Sequence, residues 1–168
     1  VRILHIAPVL REIGPTFLGE VVTNRFVALT AQGLLRNVNA DGFVSAVVPR
    51  SARFAFESAD VSVVSVEDFD GDVAKACELL GRSKVGVLTD GHRPIHAHES
   101  GRWFEFPVLP RPTRKPTGTG DVFAAALFVR YEATGNLEGS LRFAATAAAD
   151  WVSARDPEVL VMSPSSLA

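Results

Sequence analysis

The sequence predicts an α/β fold with a mostly parallel sheet, flanking helices and one β-hairpin. Short β-branched runs such as Val61–Ser65 and Val85–Thr89 are separated by the amphipathic segment Asp72–Leu80, and this alternation is typical of parallel βαβ units. The alternation is interrupted where Arg93–His98 and Arg102–Phe106 flank a short Glu-Ser-Gly segment, which predicts antiparallel pairing through a tight turn. These two patterns together indicate a mixed α/β class.

The remaining elements follow from the same patterns. Further strands are predicted by short apolar runs at Arg2–Ile6, Phe26–Leu29, Val44–Val48 and Val159–Met162. Further helices are predicted at Thr16–Asn24, at Asp121–Thr134 and from Leu137 to about Ser153. Between residues 37 and 60 only Val44–Val48 carries a clear pattern, and Pro49 is expected to end that strand.

Length and composition favour one domain in a reducing compartment, the cytoplasm. The chain has 168 residues, 47% of them hydrophobic, which is enough for a substantial core. The formal net charge is −2 with interspersed charges, so electrostatics does not favour nucleic acid binding. The lone Cys77 excludes an internal disulfide and a cysteine-rich metal site. No apolar run approaches the roughly 18–20 residues that span a bilayer, so no membrane association is expected.

The segment Thr117-Gly118-Thr119-Gly120-Asp121 carries the strongest chemical signal. Glycines permit tight backbone turns and let main-chain amides approach a ligand. A helix that begins here adds amides without helical partners and the positive end of its dipole, which suits a phosphate. Asp121 at the rim can accept a proton from a hydroxyl that attacks this phosphate. The alternative is a structural turn in which Asp121 serves only as the N-cap.

The residues around this turn resemble the ribokinase family, also called the PfkB carbohydrate kinases. The stretch K-P-T-G-T-G-D-V-F-A-A is similar to the family signature D-[TP]-[TA]-G-A-G-D-x-F-x-[AG]. In the same order as in the family, L-T-A-Q-G-L-L-R, V-S-V-E-D and V-G-V-L-T-D-G precede it and R-F-A-A-T-A-A-A follows it. The resemblance implies a Rossmann-like ribokinase fold, of which this chain is the C-terminal part.

Site residues follow from the resemblance by position. It implies that Asp121 is the catalytic base and that Gly118, Thr119 and Gly120 form the anion hole. The positions implied to bind the nucleotide are Thr89, Gly91, Thr117 and Ala145. It further implies that Asp68, with Ser65, organises magnesium through water. The chain departs from the family pattern at several positions, with Lys115 for Asp, Thr119 for Ala, Ala145 for Asn, Ser65 for Asn and Asp68 for Glu.

The resemblance implies an ATP- and Mg²⁺-dependent kinase that phosphorylates a hydroxyl of a sugar, polyol or nucleoside. Residues 1–168 would be the nucleotide-binding and catalytic portion, without the N-terminal substrate and lid part. The chain begins directly on an apolar run, which also favours a piece of a longer fold. We therefore expect a homo-oligomer or pairing with a missing N-terminal half. The alternative is a non-catalytic nucleotide-binding or assembly module left from a truncated or split kinase.

Other polar residues carry weaker hypotheses. Glu12 follows the first strand, where open α/β sheets bind ligands, and is a candidate substrate contact. Arg36 is a second substrate or phosphate candidate, with a surface salt bridge as its alternative. His96 and His98 could place two metal ligands on one strand face, but a solvated hairpin is the simpler interpretation. His5 is expected to be a satisfied core histidine.

Overall fold

The computed structural model describes residues 2–22, 24–108 and 117–153. The chain divides into two compact units, one ending at Pro107 and one beginning at Val108. The predicted strand Val159–Met162 lies outside the described residues, as does Lys115, which departs from the family pattern. Within the described residues, no helix is both long and apolar enough to cross a membrane.

The first unit is built on a six-stranded sheet with the order β1-β2-β5-β6-β7-β8. Its strands are β1 (Ile3–Ile6), β2 (Phe26–Thr30), β5 (Val61–Ser65), β6 (Val85–Thr89), β7 (Ile95–Glu99) and β8 (Arg102–Phe106). The first four pair in parallel and the last two add an antiparallel hairpin, as the sequence predicts. A separate antiparallel pair consists of β3 (Arg36–Val38) and β4 (Val44–Ala46).

Three helices accompany this sheet, α1 (Pro15–Val21), α2 (Arg50–Glu57) and α3 (Val73–Leu80). The second unit contains a helix pair, α4 (Thr119–Thr134) and α5 (Leu137–Ser153). The core of the first unit combines buried strand residues such as Leu29 and Leu88 with helix residues such as Phe56 and Leu80. Burial on both sides of the central strands explains why their sequences are nearly continuous in apolar residues.

The segment between 37 and 60 differs most from the sequence prediction. The expected strand Val44–Val48 is shorter, since β4 ends at Ala46. Helix α2, which the sequence did not predict, begins directly after Pro49 and buries Ala52, Ala55 and Phe56. These residues are spaced i, i+3 and i+4, but a polar eight-residue helix depends on packing rather than on intrinsic propensity.

The prediction of a solvated hairpin is wrong at His98. This side chain is fully buried and its Nε2 lies 2.9 Å from the Leu80 carbonyl, to which it donates. The Gly101 amide donates to Nδ1 at 3.4 Å, and the Trp103 ring lies 4.5 Å away between centroids. Both ring nitrogens are therefore used by the fold, because the alternation of β7 turns His98 toward β6 and α3.

Gly86 in the middle of β6 provides the space for this histidine. A Cβ at Gly86 would overlap Nε2 of His98 and lie 2.9 Å from Leu80 Cβ. Only a residue without a side chain allows the imidazole to reach the Leu80 carbonyl. The glycine in this strand is therefore required by close approach rather than by an unusual backbone angle.

The prediction that His5 is a core histidine is also wrong. His5 is exposed on β1, and its Nε2 lies 2.8 Å from the Thr30 hydroxyl. β1 stands at the end of the described strand order, and His5 points to the face opposite to that of the buried Ile6, because successive side chains alternate along a strand.

A capping box organises the turn after β5. The Glu67 amide donates to Ser65 Oγ at 3.3 Å, and the Ser65 amide donates to Asp68 Oδ2 at 2.8 Å. Burial raises the pKa of the Asp68 carboxyl above its usual range, although the Ser65 bond, the positive charge of Arg36 and the Gln32 side chain act in the opposite direction.

We expect Gly86→Ala to destabilise the first unit by about 1–3 kcal/mol, because the added methyl overpacks the His98 site. Urea unfolding measures this change. Gly19→Ala is the matched control, since a Cβ at Gly19 meets no atom within 4 Å. Equal stability of the two variants would contradict the assigned packing.

Asp68→Asn should become more stabilising relative to wild type as pH rises. The folded carboxyl has a raised pKa, so its protonated form favours folding below the unfolded pKa of about 3.9, and this contribution is lost as pH rises through the folded pKa. Asparagine keeps a neutral acceptor at every pH. Unfolding free energies of both chains between about pH 3.5 and pH 7, where carboxyl groups titrate, test this expectation, and a difference that falls with pH would oppose it.

Candidate functional site

The glycine turn before α4 has a left-handed backbone. Gly118 has a φ of 82° and is the N-cap of α4, which begins at Thr119, two residues earlier than the sequence predicts. A non-glycine residue at this φ is strained, so the first glycine of the motif is required by the turn itself. Asp121 is consequently the third residue of the helix and not its N-cap, which excludes the simple capping interpretation of this side chain.

The first turn of α4 directs main-chain amides out of the helix. The Val122 amide donates to the Gly118 carbonyl at 3.0 Å. The amides earlier in this first turn have no carbonyl four residues back within the helix. Gly120 is exposed and a Cβ there would meet no atom within 4 Å. Asp121 is exposed and lies in the same first turn. This arrangement joins an anion-attracting helix end with one accessible carboxylate.

The turn is anchored by the packing of α4 on α5. Phe123, Leu127 and Phe128 are buried on α4, and the small residues Ala144 and Ala148 are buried on α5. Small side chains allow close approach of the two helices, as the alanine-rich sequence of α5 predicts. The helix start therefore rests on a packed pair and not on a free loop.

Trp151 also contributes to the turn, although no sequence pattern indicated it. Its indole Nε1–H donates to the Thr117 carbonyl at 3.0 Å. Thr117 itself is exposed and stands directly before Gly118. Trp151 lies near the end of α5, 34 positions further along the chain, and no local pattern connects an aromatic residue at a helix end with a distant glycine turn.

The nucleotide positions expected in the first unit lie at the carboxyl end of β6. Thr89 is the last residue of this strand, and its hydroxyl donates to the Val64 carbonyl of β5 at 3.3 Å. Gly91 lies two residues further on with a φ of 56°, and a Cβ there would meet no atom within 4 Å. Parallel α/β sheets bind ligands at this end of their strands. Ala145, in the second unit, is half-buried on α5 and offers no polar side-chain atom.

The two weaker substrate candidates have local roles. The carboxylate of Glu12 accepts bonds from the Val9 and Leu10 amides at 2.7 Å each, and these bonds hold its pKa below the usual range. Arg36 is half-buried at the start of β3, close enough to Asp68 for its charge to act on that carboxyl. The charge of Arg36 thus acts on Asp68, whereas Glu12 bonds its own loop.

Within the described parts of the chain, no group of three His, Cys, Asp or Glu residues could hold a metal ion. His98 has both ring nitrogens bonded to main-chain groups, so it cannot join His96 as a ligand pair. One oxygen of Asp68 is engaged by the Ser65 amide. Magnesium usually keeps several waters and binds one or two carboxylates together with substrate phosphates. Asp68 fits such a site only through a magnesium-bound water.

Solved kinase structures share this fold. A pyrophosphate-dependent kinase in the ribokinase family aligns with a TM-score of 0.77 and 17% identity over 90% of this chain and 57% of its own. Fructokinase from Xylella fastidiosa with bound ATP aligns with a TM-score of 0.67, 16% identity, and 92% and 56% coverage. Adenosine kinase from Schistosoma mansoni aligns with a TM-score of 0.68 and 14% identity over 90% of this chain and 50% of its own. The chain thus spans between 50% and 57% of the length of these structures.

A comparison with curated proteins found no significant match. A family model described as "pfkB family carbohydrate kinase" matches residues 55–158, which include β5, β6, the hairpin, the glycine turn and both helices of the helix pair. This match covers more than half of the chain and agrees with the ribokinase-type fold of the structural neighbours. The chain therefore belongs to the pfkB family of carbohydrate kinases.

Proposed function

We propose that the chain is the donor-binding and catalytic portion of an ATP-dependent phosphotransferase. It would transfer the γ-phosphoryl group to a hydroxyl of a sugar, polyol or nucleoside. The observation that carries this proposal is the left-handed Gly118 turn with Asp121 in the first turn of the helix that follows. Family membership supports the reaction class, because the family is described as one of carbohydrate kinases.

In this proposal the turn stabilises charge and Asp121 moves a proton. The main-chain amides of Gly118, Thr119 and Gly120 would donate to oxygens of the transferring phosphoryl group, where negative charge is stabilised by preorganised dipoles. The Asp121 carboxylate would accept the proton of the acceptor hydroxyl as its oxygen attacks phosphorus. A carboxylate is a weak base, but phosphoryl transfer depends mainly on positioning and electrostatics.

The remaining site residues would hold the donor and its metal. Thr89, Gly91, Thr117 and Ala145 are proposed as nucleotide contacts, and Asp68 as a water-mediated partner of magnesium. Bound magnesium would supply charge neutralisation at the donor phosphates. The proposed setting is the cytoplasm. A homo-oligomer or a separate N-terminal part would complete the acceptor side, where Glu12 and Arg36 are weaker candidates.

The identity of the donor requires a direct comparison of ATP with pyrophosphate. Ala145 supplies no side-chain hydrogen bond to an adenosine, and a glycine turn recognises phosphates whether or not a nucleoside is attached. Among the structural neighbours, one is described as pyrophosphate-dependent and another contains ATP. Both donors therefore belong in every binding and turnover assay.

A second candidate is a non-catalytic nucleotide-binding or assembly module. It is favoured by Ala145 and Ser65, which replace two asparagines of the family pattern. Donor binding without turnover against a panel of sugars, polyols and nucleosides would select this module. Donor consumption stimulated by one of these acceptors would select the kinase.

We expect Asp121→Asn to lower kcat by roughly 100- to 10,000-fold, the usual contribution of a general base. Donor affinity should change little, because the amides of the turn remain. Steady-state kinetics with the best acceptor and calorimetric titration with the donor measure the two quantities.

Asp41→Asn, in the turn between β3 and β4, is the control for loss of one exposed carboxylate. It should leave both kcat and donor affinity unchanged. An equal loss of turnover and donor affinity in Asp121→Asn would argue against a role as base.

Gly118→Ala should weaken donor binding by about tenfold, because an alanine at positive φ costs on the order of 1–2 kcal/mol and shifts the turn from its binding geometry. Gly135→Ala is a matched control: Gly135 caps the other end of α4 with a φ of 62°. The two variants should lose similar stability in thermal unfolding, while only Gly118→Ala loses donor affinity. Unchanged affinity in Gly118→Ala would remove the turn from the donor site.

A further inference from the structure

Trp151 contacts the glycine turn through its indole nitrogen. The Nε1–H donates to the Thr117 carbonyl at 3.0 Å. This carbonyl belongs to the peptide group that joins Thr117 to Gly118, the residue whose left-handed conformation starts α4. The indole therefore bonds the peptide on which the direction of the first turn depends.

The same ring also packs against Gly118. A Cβ at Gly118 would lie 3.5 Å from Cζ2, 3.6 Å from Nε1 and 3.7 Å from Cε2 of Trp151. These are ordinary van der Waals distances, so the ring lies directly beside the turn. One side chain thus holds the turn both by a hydrogen bond and by contact.

The hydrogen bond determines where the Gly118 amide points. The described peptide bonds include no cis bond, and in a trans peptide the carbonyl and the N–H point in opposite directions. Since the Thr117 carbonyl faces the indole, the Gly118 N–H faces away from Trp151. Trp151 itself is half-buried near the end of α5, whose inner face packs on α4.

We propose that Trp151 is a positioning residue for the phosphate donor, acting by holding the Thr117–Gly118 peptide in its anion-binding orientation. The proposal rests on the proposed function, in which this turn receives the donor phosphates. A turn that is oriented before binding loses less conformational freedom when the ligand arrives. Its amide dipoles also need no reorganisation when charge develops on the phosphoryl group. Trp151 makes no contact with the reacting atoms in this scheme.

The test compares Trp151→Phe with wild type. Phenylalanine keeps an aromatic ring but removes the indole donor, so the Thr117 carbonyl loses its bond. Loss of one such hydrogen bond corresponds to roughly a fivefold change in affinity. We expect the Kd for pyrophosphate and for MgATP to rise by about this factor, and Trp151→Leu to have a larger effect because it also removes the ring contact.

Trp103→Phe is the control, since Trp103 is the other tryptophan of the chain and belongs to the β8 hairpin. It should bind donors like wild type. Trp103→Phe also leaves Trp151 as the only tryptophan, so titration with pyrophosphate should change its fluorescence emission. This readout needs no turnover.

The outcomes separate a positioning role from a structural one. A structural role would lower the unfolding temperature and the fraction of folded protein while the folded fraction keeps its donor Kd, and this result would overturn the proposal. Equal donor Kd values for Trp151→Phe and wild type would overturn it as well. A weakened donor Kd in Trp151→Phe together with a wild type that never transfers phosphate would support Trp151 and refute the kinase function. Failure of wild type to bind either donor would refute both.

Discussion

The left-handed backbone at Gly118 is the constraint on which the candidate site depends. It allows the chain to enter α4 at Thr119 without a capping side chain at Gly118. The first turn of the helix includes the exposed Gly120. The turn also sets the register of the helix start, so that Asp121 is the third helical residue and remains exposed. A side chain that capped this helix would compete with an anion for the same amides.

This turn is stable because tertiary contacts support it from one side. The helix pair α4 and α5 buries large residues of α4, such as Leu127 and Phe128, against a face rich in small residues. Trp151 extends that contact to the Thr117 carbonyl. At Gly120, by contrast, an added Cβ would meet no atom within 4 Å. Support at one glycine and open space at the other suit the anion site proposed for this turn.

The first unit depends on close packing of a different kind. His98 occupies the space left by Gly86 and bonds the end of α3 at Leu80. This contact connects the antiparallel hairpin with the parallel strands and with a helix on the sheet. At the carboxyl end of the same sheet, Ser65 and Asp68 use their polar atoms to cap a helical turn. Asp68, whose carboxylate is suited to metal chemistry, therefore also has a structural task. Its burial in this turn raises the pKa of the carboxyl.

The sequence by itself determined the parts of the fold that local chemistry encodes. Alternating β-branched runs and helical segments predicted the parallel sheet, positive-φ residues at Ser100 and Gly101 agree with the predicted hairpin, and the glycine motif predicted a helix start beside Asp121. Tertiary structure decided what depends on distant partners. Helix α2 forms because the fold buries its narrow apolar face, and His98 is buried because Gly86 leaves room for it. Trp151 reaches a turn 34 positions away, and periodicity along one segment contains no information about such a contact.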